Sequence, residues 1–285
     1  MDTVALLKIQ NNFDETLRTA ISLIGGLGEL KSPLIIKPNI CTENDRSGYA
    51  NVKVEVIETL IDEILKEKEN TEIRLVESDS GSKWADKAFQ RYGYKDYVER
   101  KSREGVDISL INLSKSKLTE FEFNGAYFND PELPVPLKDV GTMMGIALAK
   151  THSLTMVTGA LKNLFGLLPS KNQSFYHSNI HEVILDLNNM FRSSLCLIDG
   201  RVGLEGVVDG NPRELGCVIL GRNPVSVDSV MARIMGFEPE KIRHIVEAER
   251  IGLGAIDPKV VGNEVEECIV EFRKPTGLSS KAVIM

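Results

Sequence analysis

The stretch "VKVEVIETLIDEILKEKENTEIRLVES", residues 52–78, indicates the fold class of the chain. Four of its apolar side chains recur at the spacing of one helical face: Ile57, Leu60, Ile61 and Ile64. The run "EIRLVES", residues 72–78, follows after a short break and has the apolar character of a buried strand. A helix followed closely by such a strand is typical of a βαβ unit, which joins parallel strands.

The same alternation continues on both sides of this stretch. Further strands are predicted over residues 4–9, 33–39, 107–113, 144–150, 194–200, 214–221 and 267–272. Further helices are predicted over residues 13–24, 84–105 with a glycine break, 178–191 with Ser178 as N-cap, 224–236 and 239–252. We therefore expect one α/β domain over residues 1–285, with a largely parallel or mixed sheet flanked by helices. Two intimate lobes could build it, and residues 114–139, with a hairpin at "FEFNGAYF", are the candidate for a smaller lobe.

Composition and charge exclude several classes of function. The chain has 285 residues, 42% of them hydrophobic, which is enough to bury a sizeable core. Its formal net charge is −7 and it has no basic stripe, so nucleic acid is not expected as a partner. The start "MDTVALLKIQ" lacks the features of a signal peptide, and no apolar run is long enough for a membrane span. We expect no contact with a membrane and a cytoplasmic location.

The cysteines do not form a metal or cluster motif. The four of them, Cys41, Cys196, Cys217 and Cys268, are far apart, and none belongs to a C-x-x-C pair. We therefore expect no disulfide, no zinc ribbon and no iron–sulfur cluster. The glycines also match neither a P-loop nor a dinucleotide fingerprint, so the sequence does not indicate a nucleotide site.

Polar residues follow five predicted strands, and chemistry in open α/β sheets collects at the carboxyl ends of strands. The groups are Lys37 and Asn39, Glu77 and Asp79, Lys150 and His152, Asp199, and Asn223. We expect these groups to share one cleft. The simpler alternative is that strand ends are polar because loops are polar.

Residues 151–181, "THSLTMVTGALKNLFGLLPSKNQSFYHSNIH", hold three of the four histidines. His152 and His177 follow loop-forming stretches and are the better functional candidates, whereas His181 reads as a plain first-turn helix residue. Lys162 lies between leucines, so burial could lower its pKa and make its amine a nucleophile or a base. The alternative for Lys162 is a solvated lysine on a short helix.

Several blocks of this sequence resemble the domain-of-unknown-function family 362. They are "IIKPNICT", "AKTHSLTMVTGALKNLFGLLP", "LIDG" and "NPVSVDSVMARIMG", which together fall within residues 33–254. Many members of that family carry an added ferredoxin-like iron–sulfur module, whereas this chain has no cysteine pattern for one.

The spacing of His152, Lys162 and His177 is also similar to a signature of the nickel-pincer lactate racemase family. That resemblance implies an acid/base role for His152, a cofactor-bearing amine at Lys162 and a metal ligand at His177. The metal would be a divalent transition metal, nickel by analogy. The racemase family uses two histidines as acid and base, whereas this chain has no histidine before residue 152.

The leading hypothesis is an enzyme that moves a proton or a hydride on a small anionic, carboxylate-bearing ligand. His152 and Lys162 are the predicted catalytic residues, and His177 is the predicted metal ligand. The predicted ligand-binding residues are Lys37, Asn39, Lys150 and Asn163. One alternative is a non-catalytic protein that binds a metal through His152 and His177 with Asp199 or Glu77. Another is a redox-partner module without its iron–sulfur appendage.

Overall fold

A computed structural model describes residues 2–284 as one large sheet covered by helices on both faces. The strands are β1 (Thr3–Lys8), β2 (Leu34–Pro38), β3 (Ile73–Glu77), β4 (Ile108–Asn112), β5 (Leu118–Glu120), β6 (Glu132–Pro134), β7 (Thr142–His152), β8 (Met156–Thr158), β9 (Ser193–Glu205), β10 (Asn211–Gly221) and β11 (Lys259–Gly262). The helices are α1 (Phe13–Leu23), α2 (Val54–Glu67), α3 (Ala85–Arg91), α4 (Tyr94–Arg103), α5 (Ala160–Asn163), α6 (Ile180–Met190), α7 (Pro224–Ile234) and α8 (Arg243–Arg250).

The main sheet is mixed, as the sequence predicts. Its order is β11-β1-β10-β9-β7-β2-β3-β4, with β8 paired to β7. The five strands from β9 to β4 are mutually parallel. Strand β10 runs antiparallel to both of its neighbours, β9 and β1, and β11 is parallel to β1. The carboxyl ends of β2, β3 and β7 therefore lie side by side where these central strands end.

Two hydrophobic cores, one on each face of the sheet, hold the layers together. Helices α1 to α4 contribute to one core, and α5 to α8 contribute to the other. The apolar stripe of α2 behaves as its spacing predicts, because Ile57, Leu60, Ile61 and Ile64 are all fully buried. Each such side chain stabilises the fold by roughly 1.5–3 kcal/mol.

The segment 114–139 forms a small hairpin that packs on the main body. Its strands β5 and β6 pair antiparallel, and the turn between them is closed by the Gly125 amide donating to the Phe128 carbonyl at 2.8 Å. The carboxylate of Asp186 on α6 accepts the amides of Ala126, Tyr127 and Phe128 at 2.7–2.9 Å. These bonds fix the hairpin turn to α6.

The prediction of a strand over residues 267–272 is wrong. The segment begins at the end of a 3₁₀ helix, Val265–Cys268, and the edge strand of the sheet is β11 instead. The reason is the hydrogen bonding of the segment. The amides of Val270 and Phe272 donate to the carbonyls of Ile234 and Met235, at the end of α7, and not to a strand.

Between residues 2 and 284, no helix combines the length and the apolar composition needed to cross a bilayer.

Candidate functional site

A cavity of about 370 Å³ opens at the edge of the sheet where β2, β3 and β7 end. Its walls come from these strand ends, from α5 and the 3₁₀ helix Leu164–Leu167 after it, and from the 3₁₀ helix Gln173–Asn179. The predicted site residues that line it are Lys37, Asn39, His152, Lys162, Asn163 and His177. The structure therefore brings six of the seven predicted residues together, and Lys150 lies directly behind the cavity wall.

Two of the five polar strand ends do not reach this cavity. Asn223 follows β10, and because β10 is antiparallel to its neighbours its carboxyl end lies at the opposite edge of the sheet. Its side chain accepts the amides of Val225 and Ser226 and so caps α7. Asp199 lies within β9, not at its end, and makes a two-pronged ion pair with Arg201 at 2.7–2.8 Å. The expectation of one cleft shared by all five groups is wrong for these two residues and for Asp79, which does not line the cavity and whose carboxylate accepts the Ala85 amide at 2.7 Å.

A hairpin and a single helical turn place Lys162 at the cavity. Strand β8 folds back antiparallel on the end of β7, and α5 begins directly after it. Asp228 on α7 accepts the amides of Ala160 and Leu161 at 2.6 and 2.9 Å, which stabilises the start of α5. A Cβ atom at Gly159 would lie 2.2 Å from the Asp228 carboxylate, so only glycine allows this cap.

The amine of Lys162 is the least constrained cation of the site. Its Nζ lies over the Phe165 ring, 5.3 Å from the ring centre. Among residues 2–284, this amine has no hydrogen-bond acceptor and no carboxylate partner. The side chain is only half-buried, because it faces the cavity. Burial, followed by the charge of nearby Lys150, lowers the pKa of Lys162 to about 8. The amine is therefore partly neutral near physiological pH.

His152 is a neutral ring held in one orientation. Its Nδ1 accepts the Leu154 amide at 3.1 Å, so in the neutral ring the proton is on Nε2. Burial first, and then the nearby Lys162 and His177, lower the pKa of His152 to about 2. Nε2 makes no hydrogen bond within residues 2–284. His152 therefore presents an N–H donor next to the cavity.

His177 lies at the mouth of the cavity, exposed, in the 3₁₀ helix Gln173–Asn179. Its ring centroid is 6.3 Å from that of Phe165, and burial together with Lys162 lowers its pKa. The prediction of Ser178 as N-cap is wrong, because the 3₁₀ helix continues through Ser178 and Asn179 takes the cap position of α6. His181 lies buried in the first turn of α6, as predicted.

Three charged side chains form the floor of the cavity. Lys37 Nζ lies 2.6 Å from one oxygen of Glu77, and Lys83 Nζ lies 3.4 Å from the other. All three are almost fully buried, so the carboxylate offsets part of the cost of burying two ammonium groups. A Cβ atom at Gly166 would lie 2.7–2.8 Å from Lys37 and Glu77, which explains the second glycine of "GALKNLFG".

The amide side chains Asn39 and Asn163 join the cavity wall to the strands. Asn163 Nδ2 donates to the carbonyls of Lys37 and Ile146 at 2.8 and 3.3 Å, which ties α5 to β2 and β7. Lys150 Nζ donates to Asn39 Oδ1 at 2.8 Å and to the Ala50 carbonyl, and it lies 3.4 Å from the sulfur of Cys41. Cys41 also lines the cavity, and all four cysteines are free thiols.

The residues present do not fit the metal centre that the racemase resemblance implies. Within residues 2–284, no three His, Cys, Asp or Glu side chains come together as a metal site. Of the carboxylates considered for such a site, Glu77 is bound by two lysines and Asp199 is bound by Arg201 away from the cavity. The two cavity histidines therefore lack a free carboxylate partner.

Lys83 and Thr158 are two of the cavity residues to which the sequence hypothesis gives no role. Lys83 ends the loop "SDSGSK" after β3. This polar loop, rich in serine and glycine and placed at a strand end, is the sequence feature that could have indicated Lys83 as a site residue. Thr158 lines the cavity at the end of β8, and its buried hydroxyl has no hydrogen-bond partner in the described part of the chain. Nothing in the local sequence distinguishes that hydroxyl from any other strand threonine.

Comparison with known proteins gives a family and two similar proteins. Thylakoid-associated protein sll1697 of Synechocystis sp. is 23% identical over 267 residues, which cover 88% of this chain and 80% of that protein. Because that protein is named for its association with thylakoids, a cytoplasmic location stays a prediction for this chain. The lactate racemase apoprotein of Thermoanaerobacterium thermosaccharolyticum matches with a TM-score of 0.45 and 11% identity. That match covers 71% of this chain and about half, 51%, of the racemase. The sequence model described as "Domain of unknown function (DUF362)" matches residues 34–233, so this chain belongs to the DUF362 family.

Proposed function

We propose that this chain is an enzyme that binds a small carboxylate in the cavity and transfers a proton to or from it. One observation carries the proposal. Lys162 is the only lysine of the site whose amine has no acceptor among residues 2–284, and it faces a cavity large enough for a small ligand.

The charge of the cavity supports an anionic ligand. Glu77 is the only carboxylate among the lining residues of the cavity. Four lysines line it as well: Lys37, Lys83, Lys162 and Lys171. The cavity therefore carries excess positive charge although the chain as a whole is acidic. A concave site lined by one sign of charge concentrates ligands of the opposite sign.

The protonation states favour a division of roles between two residues. The pKa of Lys162, about 8, suits a base that works near neutral pH. His152, whose pKa is lowered to about 2, stays neutral and supports a donor role, with Nε2–H directed to an oxygen of the ligand. This proposal differs from the sequence hypothesis, in which His152 is the acid/base.

Hydrogen–deuterium exchange tests the proposal. Lactate, malate, pyruvate and 2-oxoglutarate are incubated with the protein in D₂O, and exchange is followed by proton NMR. The hydrogen observed is that on the hydroxyl-bearing carbon of lactate and malate, and that on the carbon next to the ketone of pyruvate and 2-oxoglutarate. We expect catalysed exchange for at least one of them, reduced roughly 10²- to 10⁴-fold in Lys162→Met, the usual size of a general acid–base contribution.

The matched control is Lys95→Met, the same substitution on exposed α4, which should exchange like the wild type. Ligand-observed NMR measures binding in the same samples. Absence of both binding and exchange across the panel would refute the proposed function.

A further inference from the structure

We propose that Lys162 forms an imine with the carbonyl carbon of a 2-oxo carboxylate bound in the cavity. The inference rests on the proposed function and names its substrate class. An imine draws electrons from the neighbouring carbon, so a C–H bond beside it loses its proton more easily to solvent. Lys162 then promotes the proton transfer through its imine nitrogen and not as a free amine base.

The first support is the availability of the Lys162 amine. Lys37 and Lys83 are bound to Glu77, and Lys150 donates to Asn39, whereas Nζ of Lys162 has no such acceptor within residues 2–284. A lysine that only attracts an anion works best when it is fully charged. The proximity of Lys150 works against that role and instead favours the neutral, nucleophilic amine.

The second support is a pair of hydrogen-bond donors beside that amine. Imine formation passes through a carbinolamine, whose oxygen takes its protons from the amine nitrogen through solvent and leaves as water, while hydrogen-bond donors hold that oxygen in place. The ring of His152 offers Nε2–H, because its Nδ1 is occupied by the Leu154 amide. The hydroxyl of Thr158, a residue only 5% exposed, lines the same cavity without a partner in the described chain. A ligand oxygen would satisfy this buried hydroxyl.

The third support is the set of cations left for the ligand carboxylate. Lys83 reaches Glu77 only at 3.4 Å, whereas Lys37 binds the same carboxylate at 2.6 Å. Lys171, at the mouth of the cavity, has its amine 3.2 Å from the centre of the Trp84 ring and donates to the Lys83 carbonyl at 3.4 Å, but it has no carboxylate partner within residues 2–284. Lys171 has no carboxylate partner and Lys83 is held by Glu77 only at the longer distance, so both ammonium groups can also bind a ligand carboxylate while Lys162 attacks the adjacent carbonyl.

The reaction balances without a further reagent. The lone pair of Lys162 Nζ forms a bond to the carbonyl carbon, and the C=O π electrons move to oxygen, which takes up a proton. The resulting carbinolamine loses its hydroxyl as water, and the C–N single bond becomes a double bond. Overall, the two hydrogens of the neutral amine and the carbonyl oxygen leave as one water molecule.

Borohydride trapping tests the inference. The protein of residues 1–285 is incubated with pyruvate and sodium borohydride at pH 8, and the product is examined by intact mass spectrometry and peptide mapping. We expect one reduced pyruvate adduct on Lys162 in the wild type and in Lys95→Met. We expect none in Lys162→Arg, which keeps the charge but not the nucleophile, and none in Lys162→Met. Lactate, which has no carbonyl, should leave no adduct on any protein.

The outcomes separate this inference from the proposed function. An adduct confined to Lys162 supports the imine. Labelling of Lys83 or of surface lysines in place of Lys162 overturns it. Binding or C–H exchange without any adduct also overturns the imine but leaves the proposed function standing. Failure of binding, exchange and trapping together overturns both.

Discussion

At the scale of single residues, the site depends on which lysines are neutralised and which is left free. Lys37 and Lys83 share Glu77, so their charges are partly balanced inside the fold. Lys162 has a like charge, Lys150, as its main electrostatic neighbour. Lysine therefore has two roles in one cavity: beside a carboxylate it is a paired cation, and beside another lysine it is an amine with a lowered pKa.

The influence of Lys150 can be measured directly. Removing its charge in Lys150→Met should raise the pKa of Lys162 above about 8, because a like charge disfavours the ammonium form. The rise should be partial, since burial is the larger cause of the shift. Competitive acetylation across a pH series, read by peptide mass spectrometry, gives the midpoint for Lys162.

Two controls make that measurement specific. Lys95→Met, on the surface of α4, should leave the midpoint near 8. Lys150→Met also removes the donor to Asn39 and Ala50, at a stability cost of about 1–3 kcal/mol, so labelling is carried out well below its melting temperature. An unchanged midpoint in a folded Lys150→Met protein would contradict the electrostatic account.

At the scale of secondary structure elements, two glycines let a short helix and the turn after it sit directly on charged groups. Gly159 admits the Asp228 carboxylate at the start of α5, and Gly166 admits the Lys37–Glu77 pair beneath the following 3₁₀ helix. Burial raises the pKa of Asp228 to about 7, and the two amides that it accepts oppose this rise. The two glycines of "GALKNLFG", residues 159–166, are therefore required because a side chain at either position would collide with these charged groups.

Gly166→Ala tests this requirement. The added methyl would lie 2.7–2.8 Å from Lys37 and Glu77, so the ion pair or the turn must move. We expect a loss of about 1–3 kcal/mol in the free energy of unfolding, measured by urea denaturation, and a weaker carboxylate affinity. Gly81→Ala is the matched control, because Gly81 lines the same cavity with open space at its Cβ position. Equal stability of the two variants would show that the close approach at Gly166 has no energetic weight.

At the scale of the whole molecule, a buried histidine pair links α6 and α8. The rings of His181 and His244 lie 6.0 Å apart, and none of their four nitrogens has a hydrogen-bond partner within residues 2–284. Burial, followed by Arg243, lowers the pKa of His181 to about 4. Burial, followed by His181, lowers that of His244 well below its ordinary value. Both rings are therefore neutral in the folded protein.

This pair should make the folded protein sensitive to mild acid. The unfolded chain protonates its histidines near pH 6.5, whereas the folded chain does so only at lower pH, so stability falls as pH drops from about 6.5 toward 4. For His181 alone the loss between pH 7 and pH 5 is about 2 kcal/mol. Urea denaturation at the two pH values measures it.

The double variant His181→Phe/His244→Phe provides the comparison. It keeps apolar volume and removes both titrating groups, so its stability should change less between pH 7 and pH 5 than that of the wild type. Other groups, such as Asp228, contribute equally to both proteins and cancel in the difference. The same pH dependence in both would show that the pair is not responsible.

The sequence by itself determined most of the helices and strands and most of the candidate residues, although the edge strand β11 and the cavity residues Lys83 and Thr158 were not among them. The helical spacing in α2 and the apolar strand runs are local patterns, so they predicted the α/β fold and a mixed or parallel sheet. The block from His152 to His177 is also nearly contiguous, and the folding of β8 back on β7 keeps it at one edge of the sheet. Six of the seven predicted site residues therefore line the same cavity.

Only the tertiary structure decided the direction of strands, the partners of charges and the protonation of the site. Asn223 was excluded because β10 runs antiparallel, and no local pattern encodes that direction. The pairing of Glu77 with Lys37 joins the neighbouring parallel strands β3 and β2, and Lys83 reaches the same carboxylate from the loop after β3. The neutral state of His152 and the lowered pKa of Lys162 arise from burial and from charges distant in the chain. Desolvation and Coulomb interactions depend on distances in space, and those distances exist only once the sheet has assembled.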